Sequence, residues 1–105
     1  MADYSVPNAF RPDAMGTWSF ICTVYDRPSG NVCHYIDGKQ VKKHAIELDM
    51  PLSIGAAEIG NWGAPVFTEE ASPIRNFNGC IDELTIWDGV LSPAEVRTAY
   101  DQGRP

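Results

Sequence analysis

A chain of 105 residues holds one domain at most, and folding buries roughly 65% of the surface its unfolded form exposes. Its hydrophobic share of 44% and charged share of 21% are those of an ordinary globular protein, and no run of about 18 apolar residues is present to insert into a membrane. A net charge of −6 and a pI near 4.6 argue against nucleic acid and anionic membranes as partners, because phosphate binding needs Lys and Arg gathered on one face.

Residues 1–16, MADYSVPNAFRPDAMG, carry Pro7 and Pro12 without a sustained period, and read as an N-terminal extension or a short edge strand. The opening Met1-Ala2-Asp3-Tyr4 lacks the basic and apolar regions of a signal peptide. The favoured reading is a piece of a longer secreted chain rather than a cytoplasmic protein. From residue 17 to 25, TWSFICTVY is aromatic and β-branched and predicts a strand. Asp26-Arg27-Pro28-Ser29-Gly30-Asn31 is a turn, VCHYI over 32–36 a second strand, and Asp37-Gly38 a tight turn that closes it. A further short strand is expected around Gln40 and Val41, with another over 45–48.

Pro51-Leu52-Ser53-Ile54-Gly55 reads as a short strand ended by glycine. Gly60, Gly63 and Pro65 then break any regular element, and Glu69-Glu70 lies in a polar surface loop. Residues 74–77 resume an extended run into the stretch that organises the chain, NFNGCIDELTIWDGVLSPAEVRTAY over 76–100. There a strand is expected over 82–87, with Leu84 and Ile86 on one face and Thr85 and Trp87 on the other. Asp88-Gly89 supplies a tight turn. Ser92 is placed to cap a helix, Pro93 takes its first position, and Glu95 reaches back to complete a capping box. Leu91 and Val96 stand as a hydrophobic staple, Ala99 and Tyr100 continue the helical spacing, and Gly103 ends the element. So short a helix must dock on the sheet before it. The expected fold class is therefore an all-β antiparallel sandwich or jelly roll with one short C-terminal helix, over residues 17–105.

Two stretches resemble a known family. TWSFICTVYDRPSGNVCHYIDGK is similar to a hairpin of laminin-G-like and pentraxin-like domains, which are concanavalin A-like jelly rolls. NGCIDELTIWDGVLSPAEVRTAYDQG resembles the closing motif of the same domains. The match runs from Trp18 to about Gly103 and covers only the C-terminal half of the family's jelly roll, which implies a truncated sandwich. In pentraxins the cysteine matching Cys22 pairs with one in the N-terminal half of the domain; here Cys33 is its near neighbour across the hairpin, with the register left open. Cys22, Cys33 and Cys80 are an odd set, so at least one thiol is free or without its partner. Pentraxins also bind calcium through a carboxylate-bearing run. The corresponding Ile59-Gly60-Asn61-Trp62-Gly63 has none, so calcium is unsupported and no cofactor is expected.

Asp82 and Glu83 are adjacent on an expected strand and point to opposite faces, so they cannot flank one glycosidic bond. Their expected role is structural, holding the strand's entry through backbone amides or Arg75. Cys33 and His34 point apart for the same reason, and His34 with His44 lacks the third ligand that zinc requires. Lys39, Lys42 and Lys43 read as a solvated loop, and Trp18 and Trp87 as core or helix-docking residues. Trp62 beside Asn61, between Gly60 and Gly63, is the candidate ligand-binding pair: an indole face for apolar sugar surfaces and an amide for hydroxyls. The plainer alternative is that Trp62 plugs the edge of the sandwich.

These readings converge on a non-enzymatic recognition module of a larger extracytoplasmic protein. What the resemblance implies is glycan or protein binding through loops, with other domains of a parent chain as further partners. The alternative is a structural module that packs against neighbouring domains and takes no small ligand. A truncated sandwich also leaves edges and apolar faces uncovered, so self-association into a homo-oligomer is expected unless residues 1–16 complete the fold.

Overall fold

The computed structural model describes residues 16–47, 50–57, 59 and 79–103. These fall into two units, one of residues 16–47, 50–52 and 87–103, the other of residues 53–57, 59 and 79–86. In the first unit, β1 (Ile21–Asp26), β2 (Asn31–Ile36) and β3 (Lys39–Ala45) form an antiparallel sheet in the order β1-β2-β3. The helix α1 (Pro93–Gly103) follows. The arrangement is a partial sandwich of the expected all-β class, with a single helix, the C-terminal one, among the described residues.

The hairpins form where local chemistry dictates. Asp37 and Gly38 both take positive φ, 51° and 79°, the backbone of a two-residue hairpin turn whose twist matches its strands. The wider connection over 27–30 closes on Gly30, whose N–H donates to the Asp26 carbonyl at 2.9 Å. Gly30 also sits at positive φ, 77°. In β1–β2 the register sets Cys22 opposite Tyr35, Val24 opposite Cys33 and Thr23 opposite His34. Between β2 and β3, His34 faces Lys42 while Tyr35 faces Gln40. Val41 is thus the extra residue of a bulge. The short strand expected around 40–41 is the longer β3, Lys39–Ala45, carried through this bulge. Of the one expected over 45–48, residues 46 and 47 form no strand and residue 48 lies outside the described residues.

Alternation divides the sheet's side chains between two faces. Cys22, Val24, Cys33 and Tyr35 share one face, and α1 covers it. Val96, fully buried at 0% exposure, packs with Val24 and Tyr35, while Phe20, Cys22, Cys33 and Leu91 border the cluster. The helix starts on its capping box: the Ser92 N–H donates to Glu95 Oε1 at 3.0 Å and the Glu95 N–H to Ser92 Oγ at 3.2 Å. Near its other end the Tyr100 ring lies 5.8 Å from Phe20, tilted by 53°. The opposite face carries Ile21, Thr23, Tyr25, Val32, His34 and Ile36, with Lys39, Lys42 and His44 from β3.

Several expected elements are absent. Residues 80–87 form no strand, and Glu83 takes a positive φ of 52° that no ladder tolerates. Residues 51–55 likewise form no strand. Both stretches have strand composition, but a strand exists only through hydrogen bonds to a neighbour. Asp88 and Gly89 make a bend with neither residue at positive φ, since there is no strand for a tight turn to continue. Trp18 and Trp87, expected in the core or against the helix, are each 58% exposed. Phe20, Leu91, Val96 and Tyr100 dock the helix instead. Residues 1–15 and 74–77, for which an edge strand and an extended run were expected, lie outside the described residues.

Candidate functional site

The candidate pair Asn61 and Trp62 lies outside the described residues, as do Glu69, Glu70 and Arg75. Of the structural candidates, Ser92 and Glu95 are the two ends of the capping box. Asp82 and Glu83 lie in the second unit, in irregular backbone, where Asp82 Oδ1 accepts the Glu83 N–H at 2.9 Å. Thr85 Oγ1 donates to the Glu83 carbonyl at 3.4 Å. This local turn replaces the strand that Asp82 and Glu83 were expected to anchor.

The sheet separates the thiols from the imidazoles. Cys22 and Cys33 lie on the helix-covered face, His34 and His44 on the other, so none of these cysteines meets a histidine as a nucleophile–base pair. Cys22 stands opposite Tyr35 and Cys33 opposite Val24, so the two thiols are diagonal neighbours, and both are free. Burial pushes the Cys22 thiol up from its ordinary value. Tyr35 is raised first by burial and then by the charge that Cys33 and Cys22 would carry.

The opposite face holds a polar row running across all three strands, beside the buried Val32. Thr23, His34 and Lys42 are successive cross-strand partners. Thr23 Oγ1 and His34 Nδ1 share a hydrogen bond of 2.9 Å. His44 completes the group on the diagonal, its ring 5.4 Å from that of His34 and edge-on to it. At the end of this face the Tyr25 hydroxyl donates to the Met50 carbonyl at 2.8 Å.

The lysines expected in a solvated loop belong to a strand. Lys39, Lys42 and Lys43, the only lysines of the chain, sit not in a loop but on strand β3. The signal that pointed to this was their continuity with the turn at Asp37-Gly38, which returns the chain directly into a third strand. Among the described residues, aromatic surface is offered by Trp18 and Trp87, which sequence reasoning had assigned to packing.

Comparisons agree on the fold. The laminin-G profile of the concanavalin A-like lectin/glucanases superfamily matches residues 2–97. The chain is 28% identical to the pentraxin-related protein PTX3 of Bos taurus, over 82% of this chain and 23% of that protein. It is 26% identical to the C-reactive protein of Sus scrofa, over 90% of this chain and 42% of that protein. It therefore spans less than half the length of either relative. An S-layer domain-containing protein of Clostridium thermocellum superposes with a TM-score of 0.66 at 23% identity, over 82% of this chain and 40% of that one. The family match over residues 2–97 places the sequence: the chain belongs to the concanavalin A-like lectin/glucanases superfamily.

Proposed function

We propose that this chain is a non-catalytic recognition module of an extracytoplasmic protein, and that it binds glycans through accessible aromatic rings and loop polar groups. The observation that carries the reading is the exposure of indole: Trp18 and Trp87 are each 58% exposed, in a superfamily whose description includes lectins. Stacking an indole on the C–H face of a sugar removes apolar surface from water at both partners. Asn61 and Trp62, between Gly60 and Gly63, supply the same chemistry in sequence, an aromatic face beside an amide that bonds hydroxyls. The S-layer domain-containing neighbour and the pentraxin relatives support a place outside the cytoplasm.

The test is a tryptophan-fluorescence titration with neutral and acidic oligosaccharides, using Trp18→Phe, Trp62→Phe and Trp87→Phe to assign the responding ring. A saturable shift lost in one variant supports the reading. An unresponsive spectrum across the panel contradicts it. A second reading, a structural module packed against neighbouring domains of its parent chain, is favoured by one observation: Ile21 is 67% and Leu52 64% exposed in the first unit. In that case iodide quenches the indoles freely until a neighbouring domain is added.

A further inference from the structure

The outer edge of β3 differs from an ordinary sheet edge. Six of its seven residues are exposed, and no strand among the described residues pairs with its outer side. It carries every lysine of a chain whose net charge is −6. The register sends Lys39 and Lys42 to the face of Ile36 and His34, and Lys43 to the face of Cys33. Positive charge therefore flanks the edge on both sides. None of the three lysines makes an ion pair among the described residues. Lysines on an edge normally deter another strand by forcing desolvation of an unpaired charge. They deter an apolar or basic strand; an acidic one neutralises them.

The same chain contains an acidic segment with the composition of such a strand. Ile81-Asp82-Glu83-Leu84-Thr85-Ile86-Trp87 has strand composition, yet residues 80–87 form no ladder. Ile81, Leu84, Ile86 and Trp87 are all exposed, Ile86 at 74%. Glu83 is held at a positive φ of 52°, a backbone that is costly for a residue with a side chain and is relieved on extension. Once extended, Asp82 and Glu83 point to opposite faces, matching adjacent Lys42 and Lys43, which also point to opposite faces.

We infer that two copies of this chain associate by reciprocal strand addition, residues 81–87 of each lying along β3 of the other. The exchange is isologous and closes at two chains, so it does not propagate into fibres. It satisfies the backbone groups of both elements, sets Asp82 and Glu83 of one copy against Lys42 and Lys43 of its partner copy, and covers Val41, Leu84 and Ile86. Because the charges lie at the rim of the new ladder, association weakens as salt is raised.

Sedimentation velocity on the whole chain at low and high salt tests this, with far-UV circular dichroism confirming that each sample is folded. A dimer is expected that dissociates on adding salt. The double variants Lys42→Glu with Lys43→Glu, and Asp82→Lys with Glu83→Lys, are each expected to weaken it at least about tenfold. Mixed in equal amounts, the two variants present opposite charges at both ladders, and a heterodimer is expected to form. Three results would overturn the inference: a wild-type chain that stays monomeric, including one that forms the strand within itself; double variants that dimerise like the wild type; or folded variants whose mixture does not associate.

Discussion

Phe20 and Asp37 exchange hydrogen bonds across the open end of the first hairpin. The Phe20 N–H donates to Asp37 Oδ1 at 3.0 Å, and the Asp37 N–H donates to the Phe20 carbonyl at 2.9 Å. One residue thus does two things: its left-handed backbone begins the β2–β3 turn, and its side chain ties that turn to the entry of β1. The helix is part of the same joint, because Gly38 lies beneath Arg97 and Tyr100, and Tyr100 packs on Phe20.

Gly38→Ala is expected to destabilise the chain by about 2 kcal/mol or more. The φ of 79° costs a side chain about 1–2 kcal/mol, and an added Cβ would stand 3.0 Å from Arg97 Cδ and Tyr100 Cδ2. Gly30→Ala provides the control, since its φ of 77° is similar but nothing lies within 4 Å. It should cost about 1 kcal/mol, from the backbone alone. Urea midpoints of the two variants check the difference; equal losses would mean that the helix does not rest on the turn.

Val96→Ala removes the side chain that joins helix to sheet. Losing two methyl groups from a fully buried position is expected to cost about 2 kcal/mol with the cavity included. Because so few side chains are buried among the described residues, the loss should appear as undocking of α1 first. Faster amide exchange over 93–103 than over β2 would show it; uniform acceleration across both would argue that the two unfold together.

The capping box gives the helix an acid limit. The Ser92 N–H first, and its hydroxyl second, hold the Glu95 carboxyl below the usual 4.5. The contribution is therefore complete above that value and disappears as pH falls through the lowered one. Glu95→Gln keeps an acceptor but does not titrate, so its stability profile should lack this acid step. Ser92→Ala should cost about 1 kcal/mol at neutral pH. A profile of Glu95→Gln identical to wild type between pH 5 and pH 3 (about the carboxylate range) would refute the assignment.

Thiol chemistry should follow the sheet. Cys80 is exposed, while Cys22 and Cys33 are half-buried beside the helix. Burial also keeps the Cys22 thiol protonated to higher pH than usual. Iodoacetamide should label Cys80 first and Cys22 more slowly, as read by timed mass spectrometry. Faster labelling of Cys22 would contradict the docked helix.

What could be read in the sequence was what local chemistry decides. Asp37-Gly38 demands its turn, Ser92-Pro93-Ala94-Glu95 demands its helix start, and the aromatic and β-branched residues between them demand a hairpin. The stretch over 82–87 was misjudged because period and composition describe a strand's faces, while its existence depends on a partner elsewhere in the chain or outside it. Trp18 and Trp87 read as core or helix-docking residues because large aromatics are mostly buried, whereas both are exposed. The lysines of β3 looked like a solvated run because charge on an edge strand and charge on a loop have the same composition. The register that puts Thr23, His34 and Lys42 in one row was not accessible, since the bulge at Val41 shifts it by one residue.

The most direct measurement is a glycan-array screen of the chain beside Trp62→Ala, Trp18→Ala and Trp87→Ala, each with and without calcium. The account predicts that the wild-type chain retains a defined set of glycans without calcium and that at least one of Trp62→Ala, Trp18→Ala and Trp87→Ala, still folded by circular dichroism, loses them. A wild-type chain that retains no glycan under either condition would contradict it and leave the interdomain packing role in its place.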